Sequence, residues 1–361
     1  MTGLLTLNAG SSSVKFSVYA ARERVLAGQV DALGPDAVLR IDGHDPQPLG
    51  ITDHTRAIAE ILAAVGDVLP TLEITGVGHR IAHGGVDFTG PVELTEGVLD
   101  KLALLVPFAP LHQPHNLACV RAAQAAFPRA RQIGCFDTAF HRGHPWVNDT
   151  FALPRRFHDA GVRRFGFHGL SYDYVSGVLA RSHPALYDGR VVIAHLGNGA
   201  SLCALRGGRS VASTMGFSAL DGLPMGTRCG QLDPGVLLYV MDQLGMSPAE
   251  ITRILYKESG LLGLSGISHD MRTLEASDAP EAAQAIDYYC FRVRREIGAM
   301  AASLGGLDAL VFCGGIGENS ETIRARILDG LGFLGLPDRV PALVIPTDEE
   351  DVISQAFFDA D

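Results

Sequence analysis

Several short stretches of this chain are equipped to hold an anion. In Leu4-Leu5-Thr6-Leu7-Asn8-Ala9-Gly10-Ser11-Ser12-Ser13-Val14-Lys15-Phe16-Ser17-Val18-Tyr19, a buried apolar run stops at a turn of small hydroxyl residues. It resumes as the alternating strand Val14, Phe16, Val18. A hairpin tip of this kind offers hydroxyls, close backbone N–H groups and one lysine, which suits a phosphate. Taken alone, it reads equally well as an ordinary polar hairpin.

The design recurs. Residues 191–205 again run strand, tip, strand, with His195-Leu196-Gly197-Asn198-Gly199 leading into the tip. At 309–320 an apolar strand enters Gly314-Gly315-Ile316-Gly317-Glu318-Asn319 and then a helix. Three such turns in one chain imply an internal duplication that grips a nucleotide from two sides.

Other residues could supply the reaction. Arg80, in His79-Arg80-Ile81-Ala82-His83-Gly84-Gly85, follows an apolar strand, where a guanidinium clamps a carboxylate or phosphate or forms a plain surface ion pair. Asp137 stands just past the strand Arg131–Phe136, where α/β sheets bind ligands, though it would also cap a turn there. His168 lies between aromatics and glycine in Phe165-Gly166-Phe167-His168-Gly169, a setting also typical of a satisfied core histidine. Arg228 lies in the glycine-framed loop Gly226–Gly230. Two loop arginines, a lysine and carboxylates, without a Cys/His metal cluster, suit phosphoryl transfer, which needs positioning and charge neutralisation. No G-x-x-x-x-G-K-[ST] or H-R-D motif occurs.

The elements that must position these groups read as α/β. Helices are expected at 55–68, 96–106, from Pro114 to about 126, at 170–181 and at 281–303, with a strand at 74–82. Asp233-Pro234 and Ser247-Pro248-Ala249-Glu250 carry helix-start signals, the second a capping box. The polar texture at 141–145 marks a boundary, giving domains 1–141 (completed by 351–361) and 142–350. With 361 residues, 47% hydrophobic, and a net charge of −11, the chain has material for two cores and is a poor match for nucleic acid or an anionic membrane surface. Six cysteines without metal-ligand spacing read as reduced core thiols, and with no leader or membrane span a cytoplasmic location is expected.

From LLTLNAGSSSVKFSVY through GHRIAHGG, APLHQPHN, FDTAFH, FGFHG, HLGNGAS, DGLPMGTR, GGIGENS and VIPTDEE, the chain resembles the acetate kinase family of the sugar kinase/Hsp70/actin superfamily. The resemblance implies two domains of duplicated actin-like (ribonuclease H-like) topology, with the active site in the interdomain cleft, usually as a homodimer. It implies reversible transfer of the γ-phosphoryl group of ATP to acetate, giving acetyl phosphate and ADP. By position, Asn8 and Glu349 would organise Mg²⁺ (or Mn²⁺), and Lys15 would contact phosphate. Arg80 would hold the acyl carboxylate, Asp137 would serve as the active-site acid/base, and His168 with Arg228 would stabilise the transition state. The turns His195–Gly199 and Gly315–Asn319 would hold phosphates and nucleoside, and Asp270-Met271-Arg272 the adenosine. A substrate carboxylate is already ionised at neutral pH and needs no base, so Asp137 is expected mainly to orient the metal or its waters.

The departures from the family pattern are informative. Gln231 replaces a usual Asp, so a negative charge expected near Arg228 is missing, and Leu170 and Tyr172 replace a Thr and a His. The acyl pocket would be lined by Ala82, Leu111, Phe167 and Ala219, with alanine at two positions where the family has Val and Pro. A roomier pocket that also takes propionate is expected. Alternatives are a propionate or broad short-chain acyl kinase, and an ATP-binding relative without turnover.

Overall fold

In the computed structural model, residues 2–10, 13–110 and 112–359 are described; the predicted pocket residue Leu111 and the tip serines Ser11 and Ser12 lie outside them. The chain divides into two compact units, Met1–Arg142 with Asp348–Asp361, and Gly143–Thr347.

The first unit contains β1 (Thr2–Ala9), β2 (Val14–Ala20), β3 (Glu23–Asp31), β4 (Gly34–Ile41), β5 (Gln47–Thr52), β6 (Glu73–Ile81), β7 (Val92–Glu93) and β8 (Arg131–Phe136). They form one sheet in the order β5-β4-β3-β2-β1-β6-β8-β7. The second unit contains β9 (Arg190–Leu196), β10 (Ala200–Arg206), β11 (Arg209–Ser213), β12 (Ala309–Cys313) and β13 (Ala342–Val344), ordered β11-β10-β9-β12-β13.

The segments β3-β2-β1-β6-β8 and β11-β10-β9-β12-β13 are topologically identical. In each, the first strand pairs antiparallel with its hairpin partner and parallel with the next strand across. The outer neighbours repeat the pattern, antiparallel on one side and parallel on the other. This is the duplication that the repeated turns implied.

Helix His54–Val68 starts where Asp53 accepts a hydrogen bond from the Arg56 amide (2.9 Å), and it buries Ala57, Ile58, Ile61 and Val65. Helix Glu96–Ala103 is shorter than the 96–106 expected. Pro107, in the 3₁₀ turn Val106–Phe108, lacks an N–H and would clash with the carbonyl of Ala103. Helix Pro280–Leu304 runs 25 residues to Gly305, whose φ of 72° ends it in the left-handed region, and its Ile286, Tyr289, Val293 and Ile297 enter the second unit's core. The segment 213–232 carries no helix and no strand beyond Ser213.

Strands β3–β5 were not foreseen. The two-residue turn entering β3 is Ala21-Arg22, both with positive φ (49° and 69°), where Asn-Gly would have announced a hairpin.

The last helix, Glu349–Phe358, lies on β1 and β6. Gly76 and Gly78 permit this, because a Cβ at either would overlap Phe357 or Ile353. The close approach brings Glu349 and Glu350 to the end of β1. Of the six free cysteines, all but the half-buried Cys229 are buried.

Candidate active site

In the first unit, the ends of β1, β6 and β8 gather one guanidinium and three carboxylates. Arg80 donates from Nε to both Asp137 oxygens (3.1 Å each) and from Nη2 to Oδ2 (2.7 Å). Its Nη1 donates to Asn8 Oδ1 (3.0 Å) and lies 3.6 Å from Glu349 Oε2. Asn8 Nδ2 in turn donates to Glu349 Oε2 (2.9 Å) and Glu350 Oε1 (2.8 Å). Lys15 stands directly opposite Asn8 in the β1–β2 register.

Burial raises the Asp137 pKa above its ordinary value although Arg80 pulls against it, and the charge of Glu349 adds to the rise. Glu350 is raised by burial and then by Glu349, with Lys15 offsetting part. Burial opposes the Arg80 charge, but Asp137 and Glu349 prevail and raise its pKa, so the guanidinium stays charged.

The same region is braced by neutral groups. Asn116 accepts from the Ala82 amide (2.9 Å) and donates to Ala9 O (3.0 Å), tying the ends of β1 and β6 together. Gln113 exchanges hydrogen bonds with the His83 backbone (3.2 and 3.0 Å), and Gly84 N donates to Thr138 Oγ1 (2.9 Å). Burial lowers the pKa of His79 to about 4, and burial with the nearby Arg142 charge lowers that of His83 to about 3. Both rings are therefore neutral. Ala82 is buried beside them.

The second unit builds its site from glycine turns, imidazoles and hydroxyls. A Cβ on Gly199 would stand 3.2 Å from His168 Nε2 and 3.3 Å from Arg228 Nη2. The two side chains therefore converge on one point of the β9–β10 turn. Arg228 Nη1 donates to Ala219 O (2.7 Å), which aims the guanidinium. His168 Nδ1 is 2.8 Å from Ser201 Oγ, and its ring stacks on that of His195 with centroids 4.3 Å apart. His195 Nδ1 is held by Ser171 Oγ at 2.8 Å. Phe167 is buried and Ala219 half-buried.

The turn after β12 packs on the end of β9. Gly314 has φ 75°, and a Cβ there would fall 2.8 Å from Leu196 O, so only glycine fits. Glu318 accepts from Gly314 N (2.8 Å) and Thr347 N (3.2 Å), so its carboxylate locks the turn. Asn319 donates to Gly315 O (2.9 Å), and Ile316 packs against the core. Gly226 N donates to Asn198 O (3.0 Å), joining the Arg228 loop to the 197–199 turn. Asp270 caps helix Met271–Glu275 and pairs with the exposed Arg272, while the Met271 side chain is buried in the core and can offer a ligand only its backbone. Ser320 Oγ donates to Glu275 (2.8 Å), which links this helix to the Gly315–Asn319 turn.

Gln231 accepts from Arg292 Nη2 (3.0 Å) and from Arg295, both on helix Pro280–Leu304. An acid at 231 would therefore offset one of these two arginine charges. Glu350, Asn116, Gln113, Ser171 and Ser201 belong to the two sites but were not singled out from the sequence, and Tyr172 stood out only as a departure from the family pattern. Glu350 follows Glu349 directly, and Gln113 and Asn116 lie inside the APLHQPHN stretch; these were the available signals.

Among the described residues, no group of three or more His, Cys, Asp or Glu side chains forms a ready metal cluster. None of their helices is long and apolar enough to cross a membrane.

A duplicated α/β scaffold with glycine turns at its strand ends is the architecture of the actin-like class. The acetokinase family model matches residues 3–355, and the chain belongs to that family. It is 51% identical over 390 aligned positions to acetate kinase from Methylocella silvestris, covering 98% of this chain and 96% of the relative. Among solved structures, a propionate kinase from Francisella tularensis superposes with a TM-score of 0.91 at 33% identity, and Porphyromonas gingivalis acetate kinase with 0.86 at 36%; each match covers 99% of both chains.

Proposed function

We propose that this chain is an acetate kinase that transfers the γ-phosphoryl group of ATP to acetate and runs the reaction in reverse. A carboxylate oxygen attacks the γ-phosphorus in line, and the bond to the β–γ bridging oxygen breaks. ADP leaves with that electron pair. Acetate is ionised at neutral pH, so no proton needs to move before attack. The observation that carries the reading is the convergence of His168 Nε2 and Arg228 Nη2 on Gly199, in a member of the acetokinase family. Charge developing on the equatorial oxygens would meet both donors.

In this reading the two sites act on one substrate pair. The first would take the acyl group and the metal, and the second the nucleotide. Asn8 and Glu349, with Asp137 and Glu350 nearby, are hard oxygen donors of the kind Mg²⁺ takes. Mg²⁺ keeps most of its ligands as water and phosphate oxygens, so no ready-made protein cage is needed. When bound, the ion supplies charge neutralisation on the phosphates. Arg80 is shared between Asp137, Asn8 and Glu349, and it would present its remaining N–H groups to the acyl carboxylate. Asp137 is therefore read as the anchor of Arg80 as well as an orienter of metal-bound water.

Helix Pro234–Asp242 (PGVLLYVMD) is apolar yet buries none of its residues, with Leu238 62% and Tyr239 57% exposed. A helix apolar all round is normally covered, and a second copy of this chain is the proposed cover. Light scattering in solution at twice 38.3 kDa tests the homodimer. The proposed setting is the cytoplasm.

Trapping acyl phosphate as hydroxamate tests the reaction, with acetate, propionate and butyrate each paired with ATP and with pyrophosphate. Product from acetate and ATP supports the reading; ATP binding without product from any pair sinks it. A second reading, propionate or broad short-chain acyl kinase, is favoured by the small Ala82 and Ala219 and by the Francisella propionate kinase fold match. A propionate kcat/KM near that of acetate would establish it.

A further inference from the structure

We propose that Tyr172 and Ser201 are positioning residues that hold His168 with its ring proton on Nε2, the nitrogen facing the 197–199 turn. The proposal rests on the phosphoryl-transfer reading of that turn, which decides between the two ring tautomers.

The scaffold leaves His168 little choice of place. Its φ of 57° puts a non-glycine residue in the left-handed region, where it caps helix Gly169–Ser182. The first turn of that helix carries Ser171 toward His195 and Tyr172 toward Ser201. Ser201 stands directly across the β9–β10 ladder from His195, so one helical turn reaches both imidazoles. Tyr172 and Ser201 are completely buried.

Each hydroxyl has one proton to give. The chain Tyr172 Oη, Ser201 Oγ, His168 Nδ1 can therefore run in only two directions. Either the phenol donates to Ser201, which donates to Nδ1, leaving the ring proton on Nε2. Or Nδ1–H donates to Ser201, which donates to the phenol, leaving a bare lone pair on Nε2.

Nε2 and Arg228 Nη2 bracket the same point beside Gly199. A lone pair there would repel a phosphoryl oxygen, whereas an N–H would join the guanidinium in holding it. Burial raises the Tyr172 pKa well above its ordinary value, so the phenol keeps its proton and can donate to Ser201. The first direction puts that N–H at the turn.

The test is tautomer assignment by long-range ¹H–¹⁵N correlation on the full chain labelled at histidine, with the His168→Gln spectrum identifying the signal. The expected wild-type result is a proton on Nε2. Tyr172→Phe should give a mixture of tautomers and lower kcat about tenfold, with KM for both substrates changed less than about twofold. Ser201→Ala should do the same, and Ser201→Thr, which keeps the hydroxyl, should restore both readings. That pair serves if Tyr172→Phe does not fold. A wild-type proton on Nδ1, or an Ala variant of Ser201 indistinguishable from Thr in tautomer and kcat, overturns the proposal. A proton on Nε2 in a chain that forms no acyl phosphate would remove the functional reading and leave the positioning intact.

Discussion

The two repeats place different chemistry at matching strand ends. Where β6 carries Arg80 near its end, β12 runs into Cys313 and a glycine turn. Where β1 ends near Asn8, between two carboxylates, β9 ends near His195, beside a serine hydroxyl. The first site is held by buried ion pairs, and the second by hydrogen bonds to backbone and hydroxyl groups and by close backbone approach. The difference teaches that the duplicated sheet supplies only positions. A charged cluster suits a small ionised substrate and a cation, whereas glycine turns leave room for a polyphosphate backed by fixed donors.

The comparison breaks most violently at Arg80. Arg80→Ala leaves Asp137, Glu349 and Glu350 near one another without their guanidinium. Removing one partner of a buried ion pair typically costs about 3–5 kcal/mol. Urea unfolding should show a loss of that size together with abolished acyl phosphate formation. A stable variant would mean that the carboxylates simply take up protons.

Gly199→Ala should act on the other site in the opposite way. The added methyl would crowd His168 Nε2 and Arg228 Nη2, which are ends of side chains that can yield, so the fold should survive within about 1 kcal/mol. The donors would be pushed off the point on which they converge, and kcat should fall about 10²-fold or more. Unchanged kcat would show that the convergence plays no part in transfer.

The first unit should also respond to acid, through His79 and His83. Their folded pKa values, about 4 and about 3, lie below the unfolded 6.5. As pH falls, the unfolded chain takes up these protons first. The stability they contribute is complete above pH 6.5, declines as pH falls and stops changing below the folded values. The slope is up to about 1.4 kcal/mol per pH unit for each ring. Asp137 and Glu350, whose pKa values are raised, act in the other direction and offset part of this. His83→Gln isolates one ring. Its loss of stability between pH 7 and 5, measured in urea, should be smaller than that of the wild type.

Much of this was legible in the sequence because local chemistry spelled it out. The alternation Val14, Phe16, Val18 announced β2, and Ser247 with Glu250 made the capping box that forms at that helix start. Repetition of the turns gave the duplicated topology. Strands β3–β5 stayed hidden because their turn uses Ala21-Arg22 and their faces are only partly buried. In the sites, Arg80, Asp137 and His168 stood out as polar residues beside glycine or at strand ends. The pairings around them did not, because Tyr172 and Ser201 are 29 positions apart, and Asn8 and Glu350 are 342 apart. Gln231 was read against Arg228, yet it accepts from Arg292 and Arg295, since a loop residue's neighbours depend on which helix passes over it.

The smallest effect should come from the acyl side. Ala82 is 5% exposed at the end of β6, with its amide fixed by Asn116, so a larger side chain there cannot swing away by moving the backbone. Ala82→Val adds two methyl groups at a position proposed to face the acyl chain. One methylene in an apolar pocket is worth about 1–3 kcal/mol of discrimination, and partial accommodation should leave the lower end of that range. The ratio of kcat/KM for acetate over propionate should therefore rise about fivefold, with the acetate value itself little changed. If both substrates lose equally, the methyl groups have disturbed Arg80 and Asn116 rather than the pocket, and the charged site is less tolerant than its burial implies. If neither changes, Ala82 does not line the acyl pocket, and the breadth of the site must be sought in the second unit.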